Sequence, residues 1–134
     1  MEWKKGMISG VVAGIVIIIV NFLFMLIPAV SEYWSKTLPG YGTAGVMGAM
    51  FASMIVLGLV MGMVYSLISR AIPGEGARKG VNYGLIVWFL AGIMMPIIHM
   101  GFAPTYVWAI ELVSHLVGCL VAGIVLVAIY EKMS

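Results

Sequence analysis

Apolar residues along this chain neither alternate nor form one-sided helical stripes. They come in long, nearly unbroken runs separated by short polar clusters. The first run, 6–27, is interrupted only by Ser9 and Asn21 and is long enough for a helix to cross a hydrocarbon core at 1.5 Å per residue. It also exceeds the ~7–15 residues of a signal-peptide core, so it reads as a retained helix. Further runs over about 44–69, 80–100 and 105–130 complete a pattern of four spans. Pro28 closes the first span, residues 29–43 form the longest connecting loop, with a turn at Pro39-Gly40, and Arg70 to Lys79 makes a polar connection containing Pro73, Gly74 and Gly76. The expected fold is all-α: a transmembrane four-helix bundle forming one domain over residues 1–134.

Composition agrees with the pattern. Of 134 residues 63% are hydrophobic and 9% charged, against roughly 25% charged in a soluble domain. Mean hydropathy is +1.16. A net charge of +2 dispersed in short clusters gives no basic surface for nucleic acid, so the lipid bilayer is the expected partner. The clusters report topology instead. Lys4, Lys5, Arg70, Arg78, Lys79 and Lys132 fall on one side of four spans and only Lys36 on the other, which places both termini in the cytoplasm and the protein in the cytoplasmic (inner) membrane.

Small residues carry the packing between spans, because lipid offers helices little hydrophobic reason to associate. Gly6, Gly10 and Gly14 form one ridge, Gly58 and Gly62 another, and Gly118 with Ala122 a third. A faint internal repeat accompanies them. Lys5-Gly6-x3-Gly10 opens the first span as Lys79-Gly80-x3-Gly84 opens the third, and Gly58, Gly62 and Tyr65 match Gly123 and Tyr130. Two tandem helix pairs follow from it, or an oligomer interface on one ridge. Pro96 removes a helical hydrogen bond and crowds the carbonyl of Gly92, so a bend is expected there that aims His99 at the outer mouth.

Candidate chemistry concentrates on the fourth span, where Glu111, His115 and Cys119 recur at four-residue steps and stack on one helical face. Glu111 lies roughly 10 Å from the outer end of that helix and His115 about 6 Å deeper. Ionisable groups at such depth face protein, water or each other. The pair can share and move a proton, or can satisfy itself with Asn21 or Ser114 as a packing device; both readings stand. His99, His115 and Met54, with the methionines of the outer half, admit haem or copper. Methionine is equally a filler of apolar cores, and no cofactor is expected in the first instance. The single cysteine excludes an internal disulfide and CxxC chemistry. No nucleophile triad, paired carboxylates or phosphate-cradling loop occurs, Gly74-Glu75-Gly76 lacking the flanking strand such a loop needs, so an enzyme is not expected.

The runs RKGVNYGLIVWFLAGIMMP (78–96) and SHLVGCLVAGIVLVAIY (114–130) resemble the second half of the YagU-like group of small four-span prokaryotic membrane proteins. The resemblance implies the four-span architecture, carries a histidine over to His115, and carries the Lys-Gly span starts over to Lys5-Gly6 and Lys79-Gly80. A second histidine that it would place in the second span stands here as Met54. The primary functional expectation is a structural or accessory membrane subunit that oligomerises or supports a larger complex. Alternatives are a small transporter or proton-coupled channel working through Glu111 and His115, or a haem, quinone or copper binder in the outer half.

Overall fold

The structure, a computed structural model, describes residues 3–37, 43–92, 97, 100–101 and 105–133. Among these every regular element is helical: α1 (Trp3–Met25), α2 (Pro28–Thr37), α3 (Ala44–Ile68) with a 3₁₀ turn at Ser69–Ala71, α4 (Gly76–Val87) running into a π turn at Trp88–Gly92, and α5 (Thr105–Lys132). Three helical stretches, Trp3–Met25, Ala44–Ala71 and Trp108–Lys132, are long and apolar enough to cross a membrane. The expected third span, 80–100, is described as continuous helix through Gly92, while Pro96, with the bend expected there, and His99 lie outside the described residues.

The long helices are apolar all round, and only one stripe of each is covered by protein. On α1 the buried residues are Gly6, Ser9, Gly10, Ala13, Gly14, Ile17 and Val20, spaced by three or four as one helical face requires. Between 28% and 39% of each apolar window is buried. Large side chains such as Leu23, Val56, Phe89 and Leu90 face outward, the last two about 70% exposed. Such a surface suits hydrocarbon rather than water.

Residues 29–43, expected to be one loop, contain the helix α2 instead. Two i→i−3 bonds, from Leu26 N to the Leu23 carbonyl and from Ile27 N to the Phe24 carbonyl, tighten the end of α1. Pro28 then begins α2, a position where its missing N–H costs nothing. Ser31 N donates to the Ile27 carbonyl at 3.1 Å, and the Lys36 ammonium reaches Glu32 at 2.8 Å one turn away. Helix α2 is described as far as Thr37, and Pro39-Gly40, with the turn expected there, lies outside the described residues. The start of α3 matches expectation, with Thr43 Oγ1 accepting from Val46 N at 3.4 Å as an N-cap.

Helices α1 and α3 pack together, α4 packs on α5, and α1 also runs along α5. Glycines set both close approaches. A Cβ at Gly10 would lie 2.6 Å from the Gly58 carbonyl oxygen and 2.9 Å from the Leu59 Cα. One at Gly84 would lie 2.5 Å from the Cys119 carbonyl oxygen and 2.8 Å from the Leu120 Cα. Gly62 abuts Gly6 and Gly10 just as Gly123 abuts Gly80 and Gly84. The two contacts therefore share one register, with Gly58 matched to Cys119 and Gly62 to Gly123, four residues away from the alignment that pairs Gly58 with Gly123. In this register Ser53-Met54 corresponds to Ser114-His115. Both serines bond back alike, Ser53 Oγ to the Met50 carbonyl at 2.6 Å and Ser114 Oγ to the Glu111 carbonyl at 2.9 Å. The contacts diverge one turn further on, where Gly14 corresponds to Trp88 and α4 widens into its π turn. Gly118, expected on a packing ridge, has room for a methyl: a Cβ there meets Val20 Cγ1 at an ordinary 3.6 Å, so the close approach on α5 falls at Gly123.

Candidate functional site

At the basic end the helices close completely. The Tyr65 and Tyr83 rings are 5.2 Å apart, and Tyr65 meets Tyr130 edge-on at 4.9 Å. Tyr65 donates its hydroxyl to Glu131 Oε1 at 2.8 Å, Tyr83 donates to the main-chain carbonyl of Met61, and Lys79 approaches Glu131 at 3.4 Å. The Lys5 and Lys79 ammonium groups sit over the Tyr130 and Tyr65 rings at 5.7 and 5.6 Å. Ala13, Met61, Ala122 and Leu126 form the adjacent buried layer. No single stretch of the sequence marks this cluster. Its signal was present in three tyrosines and three charges falling at one depth of separate spans, which only the register brings together.

At the opposite end the packing opens into a cavity of about 340 Å³ between α1, α3, α5, Trp34 of α2 and Ala91 of the π turn. Among the described residues α3 and α5 are not packed along each other, and the cavity occupies the space between them. Glu111, Ser114, His115 and Cys119 line it from α5, Met50, Ser53 and Met54 from α3, and Asn21 and Met25 from α1. The expected stripe on α5 is thus gathered at one site, and Asn21 joins it. Met50, one of the outer-half methionines, lies one turn from Met54 on the same face, and Ser53, three residues from Met50, is a lining residue that nothing in the sequence marks out.

Glu111 is 6% exposed and Ser114 5%, deep enough that neither is a surface group. The His115 ring donates through Nδ1 to the main-chain carbonyl of Glu111 at 2.7 Å, with Ser114 Oγ a further 3.5 Å from the same nitrogen. A carbonyl only accepts, so Nδ1 carries the proton, and in the neutral ring Nε2 presents its lone pair. The described link between the two residues runs from the imidazole to the backbone, and the Glu111 side chain lines the same cavity. Asn21 turns its amide N–H back to the Ile17 carbonyl at 2.9 Å, satisfying the helix it interrupts. Among the described residues no three His, Cys, Asp or Glu side chains converge as metal ligands. Any metal here would need the thioethers.

Compared with family models, characterised proteins and solved structures, the chain finds no match in any of the three.

Proposed function

We propose that the protein is a four-span protein of the inner membrane, with both termini cytoplasmic, that binds a small solute in the cavity of its outer half. The observation carrying this reading is the coincidence of a cavity of about 340 Å³ with the buried Glu111 and the oriented His115. A polar pair serving only to specify packing would be enclosed by its neighbours, and space beside it would be a defect. Intramembrane ionisable groups facing a cavity mark solute or proton pathways. The cavity ends above the buried layer of Ala13, Met61 and Ala122, with the tyrosines beyond it, which favours a binding site or one stage of alternating access over a continuous pore.

The positive side chains supply the orientation, since the cavity lies at the end of the helices remote from Lys5, Lys79 and Lys132. The third of the four spans in this reading is α4 with the residues that follow Gly92. The likeness to the YagU-like group is part of the same proposal, and the register that matches Met54 with His115 supports Met54 standing where that group carries a second histidine.

The test is the native mass of the protein extracted gently from its own membrane. A small bound mass that disappears in Glu111→Gln and His115→Ala, with both variants still folded, is the expected result. Protein mass alone, in multiples of the 14.4 kDa chain or with another polypeptide attached, would return the account to an accessory or self-associating subunit.

A further inference from the structure

We propose that the solute is a soft monovalent metal ion of the Cu(I) class, held between His115 and the thioethers of Met50 and Met54. This rests on the reading of the cavity as a binding site and names its ligand. Three observations lead to it.

The first is the histidine. With Nδ1–H committed to the Glu111 carbonyl at 2.7 Å, the ring is fixed in the tautomer whose Nε2 donates a lone pair, the arrangement by which metal-binding imidazoles are usually oriented. The second is the register of the two helix contacts. It sets Met54 on α3 at the position that His115 holds on α5, so an imidazole and a thioether stand at corresponding depths of one cavity. Met50 follows one turn from Met54 on the same face, matched to Glu111, and Cys119 continues the α5 stripe below His115. The third is the unfilled space. Methionines recruited to plug a core leave no room beside them, yet Met25, Met50 and Met54 all border about 340 Å³ of it.

Donor chemistry selects the ion. Thioether and thiol sulfur with imidazole nitrogen suit Cu(I), whereas calcium and magnesium require several oxygens and zinc sites use His, Cys and carboxylates, three of which do not converge among the described residues. A cation would also gain from the buried carboxyl of Glu111 on the same cavity wall.

The experiment titrates the purified, tag-free full chain in detergent with Cu(I) under anaerobic conditions against a chromophoric Cu(I) chelator, with Zn(II) as the comparison ion. One equivalent of Cu(I) should compete with the chelator. Affinity should fall about 10- to 100-fold in Met54→Leu and at least as far in His115→Ala. Met47→Leu, outside the cavity lining, should leave it unchanged. X-ray absorption of the loaded protein should show both sulfur and nitrogen scatterers. Leucine for methionine conserves volume, so Met54→Leu remains folded and its loss of binding cannot be assigned to collapse. Absence of stoichiometric Cu(I) binding, or binding indifferent to Met54→Leu and His115→Ala together, overturns the proposal. If Cu(I) fails while native mass still shows a Glu111-dependent small ligand, the metal assignment alone falls; if both fail, so does the binding cavity.

Discussion

Tyr65 on α3 donates its hydroxyl to Glu131 at the end of α5, joining residues 66 positions apart at the closed end of the molecule. The bond is part-buried and its acceptor is half exposed, so its net worth is modest, about 1 kcal/mol. Tyr65→Phe should lower unfolding free energy in detergent by that amount. A cycle with Glu131→Gln should give a coupling of about 0.5–1 kcal/mol, and strict additivity would mean that the contact contributes nothing.

The glycine contacts separate positions that look alike in the sequence. Gly10→Ala places a methyl 2.6 Å from the Gly58 carbonyl oxygen, and the backbones must part. A loss of about 1–3 kcal/mol is expected, and the same for Gly84→Ala. Gly118→Ala meets only Val20 at 3.6 Å, and its effect should stay within about 0.5 kcal/mol. Thermal denaturation of the three variants decides whether the register is right.

The matched positions Gly58 and Cys119 are not interchangeable. A side chain at Gly58 would press on Gly10 and Gly14, whereas Cys119 already carries one beside the π turn. Gly58→Cys should therefore impair assembly. Cys119→Gly removes a buried side chain and adds the helix penalty of glycine, so it should cost about 1–3 kcal/mol without preventing assembly, measured in the same denaturation assay.

At the exposed helix α2, the hydrogen bond from Lys36, with its charge, holds the Glu32 carboxyl below its ordinary value of 4.5. A depressed carboxylate pKa stabilises the folded helix above the unfolded value and loses that contribution as pH falls through the folded one. Carboxyl NMR titration should show Lys36→Ala raising the Glu32 midpoint. An unchanged midpoint would mean that the pair is not formed in solution.

How far the sequence reaches is clear from particular residues. Long apolar runs mark α1 and α3 well, because length is a local property, although the first span, expected to run to Ile27, ends as α-helix at Met25. The α5 stripe was legible for the same reason: helical phase alone puts Glu111, His115 and Cys119 on one face. Helix α2 was not, since Pro28 signals the end of one helix and the start of another with the same residue. The register of the repeat was lost because glycines recur by composition, and what identifies the true match is Cys119, a non-glycine, lying where α3 has Gly58. The tyrosine layer depends on three spans meeting, which no single stretch encodes.

The most direct test of the central claim, a cavity reached from the extracytoplasmic side and closed toward the cytoplasm, is labelling by a membrane-impermeant maleimide. In a Cys119→Ala background, Asn21→Cys and Met54→Cys place thiols on the cavity wall, and Ala13→Cys places one in the fully buried layer below it. The first two should be labelled when reagent is added outside right-side-out vesicles, and Ala13→Cys only after denaturation. Labelling of the cavity positions from the cytoplasmic side alone, or no labelling of the folded protein from either side, would contradict it.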